Sequence, residues 1–474
     1  MFKARMLALA VTAALGMPHA ASAATEDDLK DLREQVRQLR QSYEKRIETL
    51  ERRLQQAEKS ANTAQTRAGN AEVVAQQAAA QASSRPTGEN AFNPAISLIL
   101  NGTHGNLSQD PNTYRINGFT PTMGEVNPPL RGPSLGESEL AVTANIDHNF
   151  RGTGIFTLTP EDTVAVEEAF IQTLALPQGF TLKAGRFFSG VGYLNEIHAH
   201  AWDFTDTPLA NKVFLGNQLG EDGVQLRWVA PTETYLDVGL ELGRGRQFPA
   251  APAGGRSKNG FGSANFFAHT GGDIGASTAW QLGFSRLSTS PQDRTYDDLD
   301  SAGVTITNSF SGKSRLWALS GVLKWAPNGN PFYNNFKLQG EYFRRNEEGT
   351  LAYDALAASL GTQTGAFASR QSGWYLQGVY QFVRRWRAGY RYDRLNAGTT
   401  ELGLVASGAL AAADFPILSA YNPTRHTVMA DWSPSEFSRI RLQFARDKSR
   451  RGATDNQVLL QYIMSLGAHG ADKF

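Results

Sequence analysis

The sequence predicts an all-β chain, a transmembrane antiparallel β-barrel of about sixteen strands preceded by an N-terminal α-helical coiled coil. Three observations carry this. From Phe92 onward helical periodicity disappears and short runs alternate apolar with polar residues. The connections between those runs alternate between tight turns and long, polar loops. Seven of the eight Trp lie within the runs, most of them near an end and on the apolar side, where an interfacial girdle belongs.

The alternation is clear in Leu236, Val238, Leu240 and Leu242, interleaved with Asp237, Gly239, Glu241 and Gly243. Period two places one set on each face of a strand. Sixteen such runs cover 93–107, 134–148, 150–160, 163–176, 179–188, 221–231, 233–244 and 260–271, then 275–288, 312–327, 332–346, 368–382, 384–395, 422–433, 435–447 and 455–468. Tight turns are expected around His148-Asn149, Pro177-Gln178, Ala230-Pro231-Thr232, Gly271 to Ile274, Val383 and Ser433-Pro434, with a slightly longer one at Pro327 to Asn330. The segments 108–133, 189–220, 245–259, 289–311, 347–367 and 396–421 read as long loops, while Pro160-Glu161-Asp162 is short where length is expected. Short turns at one end and long loops at the other, on an even number of strands, are the pattern of an outer-membrane barrel.

Composition narrows the function. The chain has 474 residues, no Cys and a net charge of +1. Charge balance argues against a nucleic-acid partner, and the lack of Cys excludes disulfides, thiolate metal sites and a cysteine nucleophile. No Gly-x-Ser-x-Gly occurs, and Gly312-Lys313-Ser314 lacks the upstream glycine of a phosphate-binding loop, so neither an enzyme nor a cofactor is expected.

The N-terminus supplies an address. Lys3 and Arg5 precede an apolar stretch from Met6 to Met17 and then Ala21-Ser22-Ala23, the pattern of a secretory signal peptide over 1–23. A coiled coil is expected over 24–84, its seam running Leu29, Leu32, Val36, Leu39, Tyr43, Ile47, Leu50 and Leu54 and then through alanines from Ala57 to Ala82. Two successive four-residue steps, Leu39 to Tyr43 to Ile47, form a stutter. An alanine seam buries little area, so self-association is the expected remedy. Residues 85–91 read as a linker and 92–474 as the barrel.

Signal, alanine-rich coiled coil and barrel together resemble the trimeric outer-membrane porins, most nearly the phosphate-selective porin O and P family. Val166-Glu167-Glu168-Ala169-Phe170, followed by Phe180 to Phe187 with Lys183-Ala184-Gly185-Arg186-Phe187, is similar to that family's paired strands. The resemblance implies a homotrimer in the outer-membrane lipid of a Gram-negative bacterium, with the coiled coil in the periplasm; a coiled coil that acts as a tether would have peptidoglycan as its partner. Two departures stand out: there is no constriction loop rich in Lys or Arg, and Gly470-Ala471-Asp472-Lys473 before Phe474 lacks the alternating apolar residues of the usual terminal strand.

The function expected is a porin, a water-filled channel for passive diffusion of small polar solutes or ions. Alternatives are a tether joining outer membrane to cell wall with the barrel as anchor, or an uptake channel specific for anions or related to metals. Segment 189–220 is the third external loop, and the resemblance implies that it folds into the barrel as a constriction bearing Glu196, His198, His200, Trp202, Asp203 and Asp206. His198 and His200 are weak metal candidates, because an extended His-x-His turns both imidazoles one way; no metal is assigned. Strand parity turns Arg385, Arg387, Arg391, Arg439 and Arg441 inward on one wall, and Asp237, Glu241, Glu137 and Glu139 inward elsewhere. Arginines facing carboxylates across a sixteen-strand ring are expected to set up a transverse field in the lumen, unless lumenal neighbours pair with them.

Overall fold

A computed structural model describes residues 94–122, 126–160, 163–250 and 259–467, together with 34, 37, 40, 41, 44, 45, 47–49, 51 and 52. The chain divides into two units, residues 1–91 and 92–474. In the first, the described residues are helical and exposed, with Arg40–Glu44 and Arg52–Glu48 ion pairs one turn apart. The signal peptide, the linker, Phe474 and every seam residue except Ile47 lie outside the described residues.

The second unit is an eighteen-stranded antiparallel sheet. Its strands are β1 (Ala95–Leu107), β2 (Gly132–Leu135), β3 (Ser138–Asn145), β4 (Phe150–Leu158), β5 (Val164–Thr173), β6 (Phe180–Phe188), β7 (Gly220–Val229), β8 (Tyr235–Gly243) and β9 (Ser263–Ile274). They continue as β10 (Thr278–Thr289), β11 (Arg294–Leu299), β12 (Thr305–Trp325), β13 (Asn335–Tyr353), β14 (Gln363–Val383), β15 (Trp386–Leu402), β16 (Thr424–Ser435), β17 (Ser438–Lys448) and β18 (Asp455–Gly467). β2 and β11 are short additions at the long-loop end. The other sixteen coincide with the sixteen runs of the sequence and close into a barrel where β1 pairs with β18, Ser97 opposite Gly467 through Leu107 opposite Gln457. Closure leaves no edge among these sixteen, each of which is paired on both sides.

Period two then sorts the side chains. Leu226, Leu240, Leu282, Leu319, Leu376, Leu442 and Leu460 point outward and are exposed. Their polar neighbours Gln225, Asp237, Glu241, Gln339, Arg391, Arg441, Gln443 and Gln461 are buried within. Apolar outside and polar inside is the reverse of a soluble domain and suits a barrel whose solvent is lipid. Trp228 stacks on Phe180 and Trp386 on Trp432 near the tight turns, with Trp325 exposed at the same level. At about 3.3 Å per residue and a tilt near 40°, the rise from Trp325 to Trp317 on β12, or from Val383 to Trp374 on β14, is about 20 Å, which places a second girdle at the opposite interface.

Three expectations of loop need correction. Segments 289–311 and 347–367 are largely strand and 396–421 is strand as far as Leu402, because β12 to β15 run 17 to 21 residues, well beyond the roughly 10 that cross a bilayer. Their Gly, Ser and Thr content masks the alternation, but inward Phe310, Leu351, Tyr353 and Phe367 join Tyr296 of β11 and Phe415, Ile417 and Leu418 in an apolar cluster above the barrel. Two turns also fall slightly past their expected positions, at 275–277 and 436–437.

One inward aromatic depends on a missing side chain. Phe267 of β9 is fully buried, its ring lying over Gly239 of β8 and against Gly190, and a Cβ at Gly239 would come within 2.0 Å of it. Gly239→Val is expected to cost about 1–3 kcal/mol by overpacking. Gly102→Ala, whose Cβ would meet nothing, is expected to be neutral. Urea unfolding in lipid vesicles checks both; equal midpoints would show that the ring repacks freely.

Candidate functional site

Between β6 and β7 the chain does not return over the rim but folds inside the barrel. Its apolar residues explain why. Helix α1 (Leu209–Leu215) buries Leu209, Ala210, Val213, Phe214 and Leu215 against Leu287, Leu316, Ala318, Phe343 and Leu395 of the inner wall. Left in water, this much apolar surface would be costly. Gly216, left-handed at φ 66°, ends the helix, and its amide donates to the Asn211 carbonyl.

Wall carboxylates hold the start of the segment. Glu241 of β8 accepts from the Gly190 amide at 2.8 Å and from the Ser189 hydroxyl, and Glu341 of β13 accepts from the Tyr193 amide at 2.6 Å. Asn195 ties the two ends of the loop together, donating to Ser189 O and accepting from the Leu219 amide.

The middle of the segment lies against the arginine wall. Arg387 donates to Asp203 at 3.0 Å, and Lys337 reaches the same carboxylate at 3.1 Å. Asp206 accepts from Arg391 at 3.0 Å, from Gln443 at 3.2 Å and from Arg425. Arg441 donates to the Trp202 carbonyl at 2.8 Å and Arg439 to that of His200. Burial opposes charge on both aspartates but loses: Lys337 and Arg387 hold Asp203, and Arg425, Arg391 and Lys212 hold Asp206, well below the usual carboxylate range.

On the acidic side the loop presents imidazoles. His200 Nδ1 lies 2.9 Å from Glu139, and His198 Nε2 lies 3.1 Å from Glu168. Burial opposes the charge on His198, yet the facing carboxylates of Glu167, Glu168 and Glu139 raise its pKa well above the ordinary value. Glu196 sits 3.6 Å from Arg227, which is itself bonded to Asp237 at 2.8 Å; His269 approaches Asp237 at 3.2 Å. Glu137 lines a cavity of about 470 Å³ together with Thr157, Glu167 and Phe188.

Most residues singled out in the sequence therefore converge on this loop and its wall. Arg385 does not: it sits in the turn after β14 at φ 70°, and its guanidinium donates to the Pro434 carbonyl, because parity fails where the strand ends. The open transverse field is also corrected. β8 and β17 are eight places apart in the ring of sixteen, as expected, but the loop lies in the lumen and supplies acids to the arginines and imidazoles to the glutamates. Arg425, Lys337, Glu341, Asp431 and Glu168 were missed, although the alternation of β5, β13 and β16 contains the signal that would have found them.

Asp206→Ala would leave Arg391 and Arg425 buried with only Asp393 and Asp447 nearby, a loss expected near the low end of about 3–5 kcal/mol. Carboxylates with depressed folded values contribute stability above their unfolded value of about 3.9, and it is lost only as pH falls through the folded value, so the clamp survives at pH of about 4. Pepsin at that pH is expected to spare the loop of the wild type and to cut it roughly a hundredfold faster in Asp206→Ala. Equal cutting rates would show that Asp206 does not hold it.

No model of a known protein family matches the chain. Among solved structures it is similar to the loop-deleted outer membrane protein OmpT of Vibrio cholerae (TM-score 0.47, 11% identity, covering 79% of this chain and 100% of that one). It is also similar to the outer membrane channel DcaP of Acinetobacter baumannii (0.45, 11%, 80% and 98%) and to an anion-selective porin from Comamonas acidovorans (0.46, 8%, 79% and 100%). Likenesses this distant carry no argument about what is transported, and they do not single out the phosphate-selective porin O and P family. In sequence, the chain is 31% identical over 419 residues to an uncharacterized protein of Aquifex aeolicus (strain VF5), covering 82% of this chain and 81% of that one. The chain belongs to the same family as that Aquifex aeolicus protein.

Proposed function

We propose that the protein is a bacterial outer-membrane porin, passing small polar solutes or ions through a lumen that segment 189–219 narrows. The observation that carries this is the pairing of a polar interior with an internal loop held by Asp203, Asp206, His198 and His200. A barrel used only as an anchor has no need of a polar lumen with a dedicated insert. Arg387, Arg391, Arg439 and Arg441 with Asp237, Glu241, Glu137 and Glu139 form the proposed pore lining, and the loop forms the constriction.

The second reading, a tether from membrane to cell wall, is favoured by one observation. Arg345, Arg391, Arg425 and Arg441 are all fully buried, so the lumen is tightly filled at the loop. Planar-bilayer recording separates the two. Discrete openings are expected from the mature protein, and larger ones after deletion of residues 195–212. Unchanged conductance would place the loop off the path, and silence from both proteins would favour the tether.

Trimer formation, driven by the coiled coil, belongs to the same proposal. Cross-linking of the mature protein is expected to give trimers that weaken when residues 24–88 are removed; equal yields would make the stalk a spacer.

A further inference from the structure

Glu167 and Glu168 are adjacent in sequence, and regular alternation would turn one of them toward lipid. The ladder between β4 and β5 slips at this point: Ile155 is opposite Glu168 and Phe156 is opposite Val166, leaving Glu167 as the extra residue of a bulge. Bulges re-aim side chains, and this one sends both carboxylates into the lumen. There they meet Glu139 of β3 and the two histidines of the loop.

The geometry has the form of a coordination shell. His198 Nδ1 lies 3.4 Å from Glu139 Oε2 and 3.4 Å from Glu167 Oε2. Tetrahedral ligands held at about 2.1 Å from a zinc-class ion are about 3.4 Å apart, the edge length seen here. The three ligand atoms all lie within 4.8 Å of one another. None of these contacts has hydrogen-bond geometry: His198 Nδ1 and both oxygens of Glu167 are buried without a hydrogen-bond partner, and the Glu167 side chain is 6% exposed.

A supporting shell is present as well. His198 turns its other nitrogen, Nε2, to Glu168 at 3.1 Å, and Glu168 is itself fixed by the Phe188 amide at 2.9 Å. A ligating histidine ordinarily donates its second N–H to a carboxylate in this way, which leaves the first nitrogen's lone pair facing the site. His200 Nδ1 orients Glu139 through Oε1 at 2.9 Å, freeing Oε2 for the cluster. Lys183 stands near Glu168, its ammonium over the Phe170 ring, so three carboxylates face one fixed cation and two imidazoles. Glu167 also lines the cavity of about 470 Å³.

We propose that Glu139, Glu167 and His198 bind a divalent transition-metal cation of the zinc class, with Glu168 and His200 as positioning residues. The ion joins β3 and β5 to the loop, pinning the segment on the side away from the arginines. The site stands on geometry alone, so it holds whether or not the barrel conducts. A proton on His198 Nδ1 is the competing occupant.

Calorimetric titration of the full mature protein, stripped with a chelator and kept in detergent at neutral pH, tests this with zinc chloride. One ion per chain is expected, with calcium and magnesium much weaker. Glu167→Gln keeps the shape of the side chain and is expected to weaken binding at least tenfold; Glu168→Gln, outside the coordination shell, is expected to weaken it about 10–100-fold. Cobalt(II) bound to the wild type supplies an independent readout, since a tetrahedral site gives intense visible absorption that Glu167→Gln should abolish. Zinc affinity that is absent in the wild type, or unchanged in Glu167→Gln, would overturn the proposal and leave a proton as the occupant. Calcium binding as tightly as zinc would overturn the class of ion.

Discussion

Lipid offers no hydrogen bonds, and that constraint governs the rest of the molecule. Every backbone amide and carbonyl within the apolar band has to be paired by another strand, so the sheet must close, and it does so where β1 meets β18. Closure in turn fixes the register of each strand. Alternate residues of each strand then face lipid and lumen, and the polar and charged set is delivered to a narrow interior. A second demand follows, because charges brought together out of bulk water need partners. The internal loop meets it with Asp203 and Asp206 toward the arginines and His198 and His200 toward the glutamates.

The loop is thus both insert and counter-ion. Its apolar half, centred on Phe214, is held by burial against Phe343 and Leu395, and its polar half by charge. Phe214 stacks on Phe343 at 5.9 Å and lies beneath the Arg345 guanidinium at 5.4 Å, which also donates to the Val213 carbonyl, so the apolar half takes a cation of the wall as well. Displacing the segment would expose apolar surface and strand several arginines together. Such coupling suits a constriction that keeps its shape while solutes pass.

Much of this was legible in the sequence, for identifiable reasons. Alternation such as Leu240–Glu241–Leu242 reports directly on which side of the sheet each residue occupies, and so the sixteen strands and most inward charges could be read from it. Legibility ended where the period breaks. The bulge at Glu167 places two consecutive glutamates in the lumen, and the turn at Arg385 removes an arginine that parity assigns there. The tall walls of β12 to β15 were hidden because their upper parts face water outside and an apolar cluster inside, in segments rich in Gly, Ser and Thr. Pairing across the lumen, as between Asp206 and Arg425, joins residues far apart in the chain, and local periodicity carries no trace of it.

Neutralisation of the wall charges by the loop is the central claim, and ion selectivity reports on it most directly. Reversal potentials of the full mature protein, measured across a salt gradient in planar bilayers, should lie near zero, because the loop sets Asp203 and Asp206 against the arginines and His198 and His200 against the glutamates. A strongly anion-selective potential that collapses when Arg387, Arg439 and Arg441 are neutralised would show that the arginine wall acts unpaired, and would contradict the account.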